Sequence, residues 1–230
     1  MLQQNGDGAT EVIHTFLKEH PNIKLSSRKR IEEVRYSLIL PEIPGHDRNR
    51  LAHQLVYGTV EMRVKAISLL KKSGPSVLPV LKEFLSDPEA IVREAVIDTI
   101  VARNDIEAAP MLIERLDEET DNEVTYAILR ALGKIRSRMG LKTLVTYVDH
   151  QNEDLCIIAL KSLAALKSSE AMPGISKALD DPRWRVRVAA LETASELELS
   201  ALYDKVAKAL KDDDNFVRHV AVKTLTGLKS

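Results

Sequence analysis

A row of apolar residues at positions i, i+4 and i+8 recurs six times along this chain, and no other feature constrains its fold as strongly. The rows begin at Met62, Val92, Val124, Cys156, Val186 and Val217, at intervals of 30, 32, 32, 30 and 31 residues. Their second members are Ala66, Val96, Ile128, Leu160, Ala190 and Ala221; their third are Leu70, Ile100, Leu132, Ala164, Ala194 and Leu225. All 18 positions are apolar, where a composition of 44% would place about eight there. Such a row is one buried stripe of an α-helix, and its repetition every 31 or so residues marks a repeat architecture. We term these helices B.

A second element precedes each B helix. Leu55, Leu85, Leu179 and Leu210 fall seven residues before the row starts, and Leu116 and Val148 fall eight before. Pro79, Pro110 and Pro173 each stand six residues ahead of such a position, in the first turn of a helix, where the missing N–H costs little. The intervening links are acidic, as in Asp87-Pro88-Glu89 and Asp181-Pro182-Arg183, and are expected to cap the B helices. Each unit therefore reads as a helical hairpin, A then B.

This pattern resembles HEAT-repeat proteins, particularly the short bacterial and archaeal HEAT-like repeats that include the phycobilisome-lyase type. The D-P-x-x-x-V-R segments at 87–93 and 181–187 carry the resemblance best, and it covers residues 46–230. It implies an all-α fold, a right-handed α-α superhelix of about six to seven hairpins. It also implies acid–arginine pairs at Asp87/Arg93, Asp181/Arg187 and Asp212/Arg218, with Thr125 and Ile157 standing where the middle units lack the arginine. Residues 1–45 fit less well. A helix over 10–20 ends at Pro21, and Ser26 and Ser27 are placed to cap a second one that runs to about Leu40. Within it, Val34-Arg35-x-x-Leu38 echoes the B pattern. We expect a degenerate first repeat capping the array over 1–45 and a repeat array over 46–230, because terminal repeats need a polar outer face.

In HEAT-like proteins the B helices line the concave surface, so the resemblance points to exposed B positions as the partner-binding ones. The central set is Tyr126, Arg130, Ile158, Ser162 and Val188, flanked by Glu94, Asp98 and Glu192. Aromatic, arginine and aliphatic anchors ringed by charge suit a protein interface, unless Ile158 and Val188 simply pack between adjacent B helices. Charge is also ordered along the chain. Residues 105–123 hold eight acids and one base, whereas 124–148 hold five bases and no acid. Helix dipoles favour acids at B N-termini and bases at B C-termini. Lys134, Arg136, Arg138 and Lys142 nevertheless crowd around Gly140 and form a basic edge that also suits phosphate or an acidic segment.

Chemistry is poorly represented. None of the six histidines is followed by Glu and no H-E-x-x-H occurs, which disfavours helix-borne zinc and the di-iron hydroxylases built on such repeats. The single cysteine, Cys156, is expected to be a buried structural thiol. No phosphate-cradling glycine loop or nucleophile elbow is present. Trp184 reads as a contact between units, and Arg28-Lys29-Arg30 as a solvated helix face. A net charge of −1 excludes a uniformly basic nucleic-acid binder. The start, Met1 to Gly8, lacks the basic and apolar regions of a signal peptide, so a cytoplasmic location is expected. The function expected is a non-enzymatic scaffold or adaptor that binds a protein or peptide segment, with no catalytic, metal or cofactor site. The alternatives are a nucleic-acid-associated protein using the basic edge, or a subunit of a chromophore-lyase-like complex.

Overall fold

The computed structural model describes residues 4–73 and 77–228. Fourteen α-helices account for most of them, several entered or left through single 3-10 turns, and no strand is present among the described residues beyond an isolated bridge between Ile43 and His46. The chain forms two compact units, residues 1–103 and 104–230.

The first unit contains α1 (Gln4–Glu19), α2 (Leu25–Ile39), α3 (Arg48–Tyr57), α4 (Val60–Leu69), α5 (Leu78–Phe84) and α6 (Ala90–Arg103). The B helices α4 and α6 pack on each other, and α2 packs on both α1 and α3. Residue 45 is therefore no break in packing. Two expectations for this end are corrected. Ser26 and Ser27 lie inside α2, whose N-cap is Lys24 with no side-chain bond. Val34 and Leu38 are exposed, while Arg35, Tyr36 and Leu40 face inward. The reason is an ion pair. Arg35 donates from Nη1 to Glu83 Oε1 at 2.7 Å and from Nη2 to Glu83 Oε2, and Tyr36 donates its hydroxyl to the same carboxylate at 2.7 Å. A buried guanidinium needs its partner, so α2 is rolled to put Arg35 against α5 rather than Val34 into the core. Burial and then the Glu83 charge push the Tyr36 phenol well above its ordinary range.

The second unit contains four A/B hairpins: α7 (Ala109–Leu116) with α8 (Asn122–Lys134), α9 (Leu141–Tyr147) with α10 (Glu153–Leu166), α11 (Met172–Ala178) with α12 (Trp184–Glu196), and α13 (Tyr203–Lys208) with α14 (Asn215–Leu228). Successive B helices pack side by side, α8 on α10, α10 on α12, α12 on α14. Seventeen of the 18 repeat-row residues are buried, as the periodicity requires; Met62 is exposed, on the first turn of α4 just past its cap Thr59. Pro79, Pro110 and Pro173 occupy first-turn positions of α5, α7 and α11. Asp47, Thr59, Asp121 and Asn152 cap their helices through side-chain oxygens, and Asp214 accepts from the amides of Phe216 and Val217.

Candidate partner-binding surface

Helix starts settle the repeat register. The cap stands three residues before the row start in four units: Thr59 before Met62, Asp121 before Val124, Arg183 before Val186, Asp214 before Val217. In α10 the cap is Asn152, so the equivalent of Val124 is Leu155 and not Cys156. The row there is Leu155, Ala159 and Leu163, all buried. With this shift Val148 falls into line seven residues ahead.

The slip of one residue moves the surface. Ile158 and Ser162 are buried, not exposed, because they hold the places of Ala127/Ala189 and Thr193/Thr224, which face neighbouring helices. The approach is close: a Cβ on Gly133 would stand 2.7 Å from Ser162 Cα. At the corresponding positions of α10 the accessible residues are the half-buried Ile157 and the exposed Lys161 instead. Val188 is also buried, between α12 and its neighbours. In the second unit the accessible B-helix stripe thus comprises the half-buried Tyr126, Arg130 and Ile157 and the exposed Lys161, Glu192, His219 and Lys223, one or two from each helix at equivalent positions. Glu94 and Asp98 occupy the same positions on α6 of the first unit, the former half-buried, the latter exposed.

The basic edge is exposed throughout. Lys134 ends α8, Arg138 lies in the following 3-10 turn and Lys142 in α9. Arg136 sits between them with φ +52°. Asn104, Lys167 and Glu198 adopt the same left-handed conformation, 32, 31 and 62 residues from it, each just past a B helix. Glycine ordinarily takes this place. No residue type marks this position in the sequence, because the common role is conformational and the four side chains differ.

The acid–arginine ladder runs between repeats rather than within them. Arg187 donates Nε and Nη2 to Asp212 of the next link, at 2.8 and 2.7 Å, and Arg63 does the same to Asp87, at 2.9 and 3.0 Å. Each guanidinium turns Nη1 to carbonyls of its own link: Arg187 to Asp181 and Pro182, Arg93 to Asp87 and Pro88, Arg218 to Asp212 and Asp213. The Arg187 bonds hold the Asp212 carboxyl below the usual carboxylate range. In register, the arginine is replaced by Thr125 and by Cys156, not by Ile157. Thr125 bonds the Asp121 carbonyl. Cys156 donates Sγ to the His150 carbonyl at 2.8 Å, six residues back, as the arginines do.

Arg183 fills the remainder of that gap from the other side. Anchored by Asp181 through Nε and Nη2 at 2.8 Å each, it donates Nη1 to the carbonyls of His150 and Gln151, both at 3.0 Å, and Nη2 reaches Cys156 Sγ at 3.3 Å. Nothing in the repeat pattern singles out Arg183, since no other unit carries an arginine there. Burial raises the Cys156 thiol pKa, with Arg183 acting against it, so the thiol is protonated and inward-facing. Trp184 meets Phe216 of the next B helix edge to face, with centroids 5.9 Å apart, and both rings are substantially exposed. Among the described residues no group of three His, Cys, Asp or Glu side chains is placed to hold a metal ion, and no helix is long and apolar enough to cross a membrane.

Comparison with known proteins agrees with the fold. No curated protein matches the chain significantly. Among solved structures, an engineered protein matches with a TM-score of 0.52 and 19% identity, over 78% of this chain and 95% of its own. Human deoxyhypusine hydroxylase gives 0.46 and 14%, over 99% and 97%. The CpcE–CpcF complex of phycocyanin lyase from Nostoc sp. PCC7120 gives 0.42 and 21%, over 94% and 86%. At 19% identity the likeness to the engineered protein is one of fold alone. The model of HEAT repeats matches residues 58–133 and 141–226, well over half the sequence, and with hairpins, buried rows and inter-repeat arginines in place, the chain belongs to the HEAT-repeat family.

Proposed function

We propose that this protein is a non-enzymatic scaffold that holds a protein or peptide segment against the exposed stripe of its B helices. The observation that carries the reading is the composition of that stripe. Stacking leaves α8, α10 and α12 one accessible line each, and on it stand Tyr126, Ile157, Lys161 and Glu192, an aromatic and an aliphatic residue beside charges of both signs. Such a mixture suits a partner with an apolar anchor and a polar rim.

The test is affinity capture with mass spectrometry on the full chain and on Tyr126→Ala/Lys161→Glu, both checked for unchanged helical content. Partners held by the stripe are lost from the double variant, with affinity falling by about 100-fold if each side chain contributes about 1–2 kcal/mol. Equal recovery of every partner by both proteins refutes the assignment.

A further inference from the structure

The four links that leave a B helix through a left-handed residue, at Asn104, Arg136, Lys167 and Glu198, share a backbone but not a charge. Two residues before, two after and six after Arg136 stand Lys134, Arg138 and Lys142. The same places around Asn104, Lys167 and Glu198 hold no base, and the last of these links carries Glu196 and Asp204 there. A helix C-terminus favours a base, but three B helices make the same turn without this set, so the turn does not require it.

The cluster is also uncommitted. Arg63, Arg115, Arg183, Arg185 and Arg187 are each held by a carboxylate. The side chains of Lys134, Arg136, Arg138 and Lys142 are exposed and make no hydrogen bond or ion pair among the described residues. Between Arg138 and Lys142, Met139 is 60% exposed. The links before and after place Glu107 and Glu170 at its position, both exposed. An unbranched thioether adapts readily to an apolar side chain laid against it. This link lies between two others of its unit, so its exposure is set by repeats on both sides.

We propose that the α8–α9 link is a docking site for an acidic peptide segment that carries an apolar residue among its carboxylates. Charge complementarity names the acids: of the four unpaired cations two are arginines, whose planar fork takes a carboxylate through two bonds. Met139 adds a demand for an apolar side chain, to which a phosphate backbone has no counterpart. A long polyanion following the edge would also leave the bases for Glu107 on one neighbouring link and Glu170 on the other. A short acidic segment avoids both. The variants that test this site alter no residue of the B-helix stripe, so it stands or falls independently of the function proposed above.

The probe is the peptide acetyl-Asp-Glu-Leu-Glu-Asp-amide, titrated into the full chain with isotope-labelled methionine methyl groups and followed by NMR. Met139 reports on the site, and Met62, exposed on α4 of the first unit, is the internal control. The Met139 methyl shifts saturably while that of Met62 stays in place. Exchanging the acids of the peptide for Asn and Gln, or its Leu for Ser, weakens binding by about 10-fold or more in each case. Anisotropy of a labelled peptide shows the same loss for Arg136→Glu/Arg138→Glu and for Met139→Glu. Glu198 and Glu170 already occupy the places equivalent to Arg136 and Met139, so the backbone accommodates glutamate at both. A Met139 methyl unmoved at millimolar peptide overturns the proposal, as does equal binding of the Ser peptide. A DNA duplex that shifts Met139 at lower concentration than the peptide reassigns the link to nucleic acid, and a Met139 shift on dilution of the chain alone reassigns it to a second copy.

Discussion

At the scale of single residues, the arginines of the B helices act as brackets. A guanidinium has five N–H donors in a plane, enough to bond two carbonyls of its own link and both oxygens of a neighbouring carboxylate. Asp212 is the clearest acceptor, bonded by Arg187 and by the Asp214 amide. Its depressed pKa has a defined consequence for stability. A carboxyl whose folded pKa lies below the unfolded value of about 3.9 contributes fully above that value, and the contribution disappears as pH falls through the folded one. Thermal unfolding of the wild type and Asp212→Asn therefore differs most at neutral pH, and the gap narrows below about pH 4. A difference that persists undiminished at pH 2 contradicts this account. Asp181, held below the usual range chiefly by its bonds from Arg183, adds to the same acid limb.

At the scale of the element, the α9–α10 link shows how a repeat tolerates loss of its bracket. Cys156 stands at the arginine place and Arg183 enters from the next link to bond the two carbonyls that an arginine at 156 would take. Removing it in Arg183→Ala leaves those carbonyls short of donors and costs about 1–3 kcal/mol. Adding Cys156→Arg in that background returns much of the loss, which urea unfolding of the four proteins of the cycle reads directly. If Cys156→Arg is as damaging with Arg183 absent as with it present, the substitution of one arginine for the other is wrong. The same helix explains the misplaced surface residues. Both Leu155 and Cys156 are apolar, as are Ala159 and Leu160, and Leu163 and Ala164, so periodicity fits either register. The cap at Asn152 and the tight passage of Gly133 against Ser162 select one.

At the scale of the whole molecule, the near-zero net charge is an average over ordered groups, acids concentrated in A-to-B links and bases just past B helices. The exposed cluster Lys134, Arg136, Arg138 and Lys142 is a local concentration of positive charge. Four neighbouring bases are few beside the six to ten phosphate contacts of a strong binder. We therefore expect a labelled 20-base-pair duplex to remain unbound at micromolar protein and 50 mM salt. Binding that is steeply salt-dependent and lost in Arg136→Glu/Arg138→Glu makes the basic edge, rather than the stripe, the functional surface. The period of about 31, the hairpin unit, the buried rows and the first-turn prolines were all legible in the residues, because apolar burial at helical spacing is a local property of the chain. Packing had to choose the rest. A one-residue slip in α10 costs nothing in apolar pattern yet exchanges Ile158 and Ser162 for Ile157 and Lys161 at the surface. The arginine brackets close between repeats because the carboxylate within reach belongs to the next link. Arg35 displaces Val34 from the core because its carboxylate partner lies on α5. Each of these outcomes turns on which groups meet across 24 to 48 residues of sequence, a matter of distance in space that spacing along the chain does not contain.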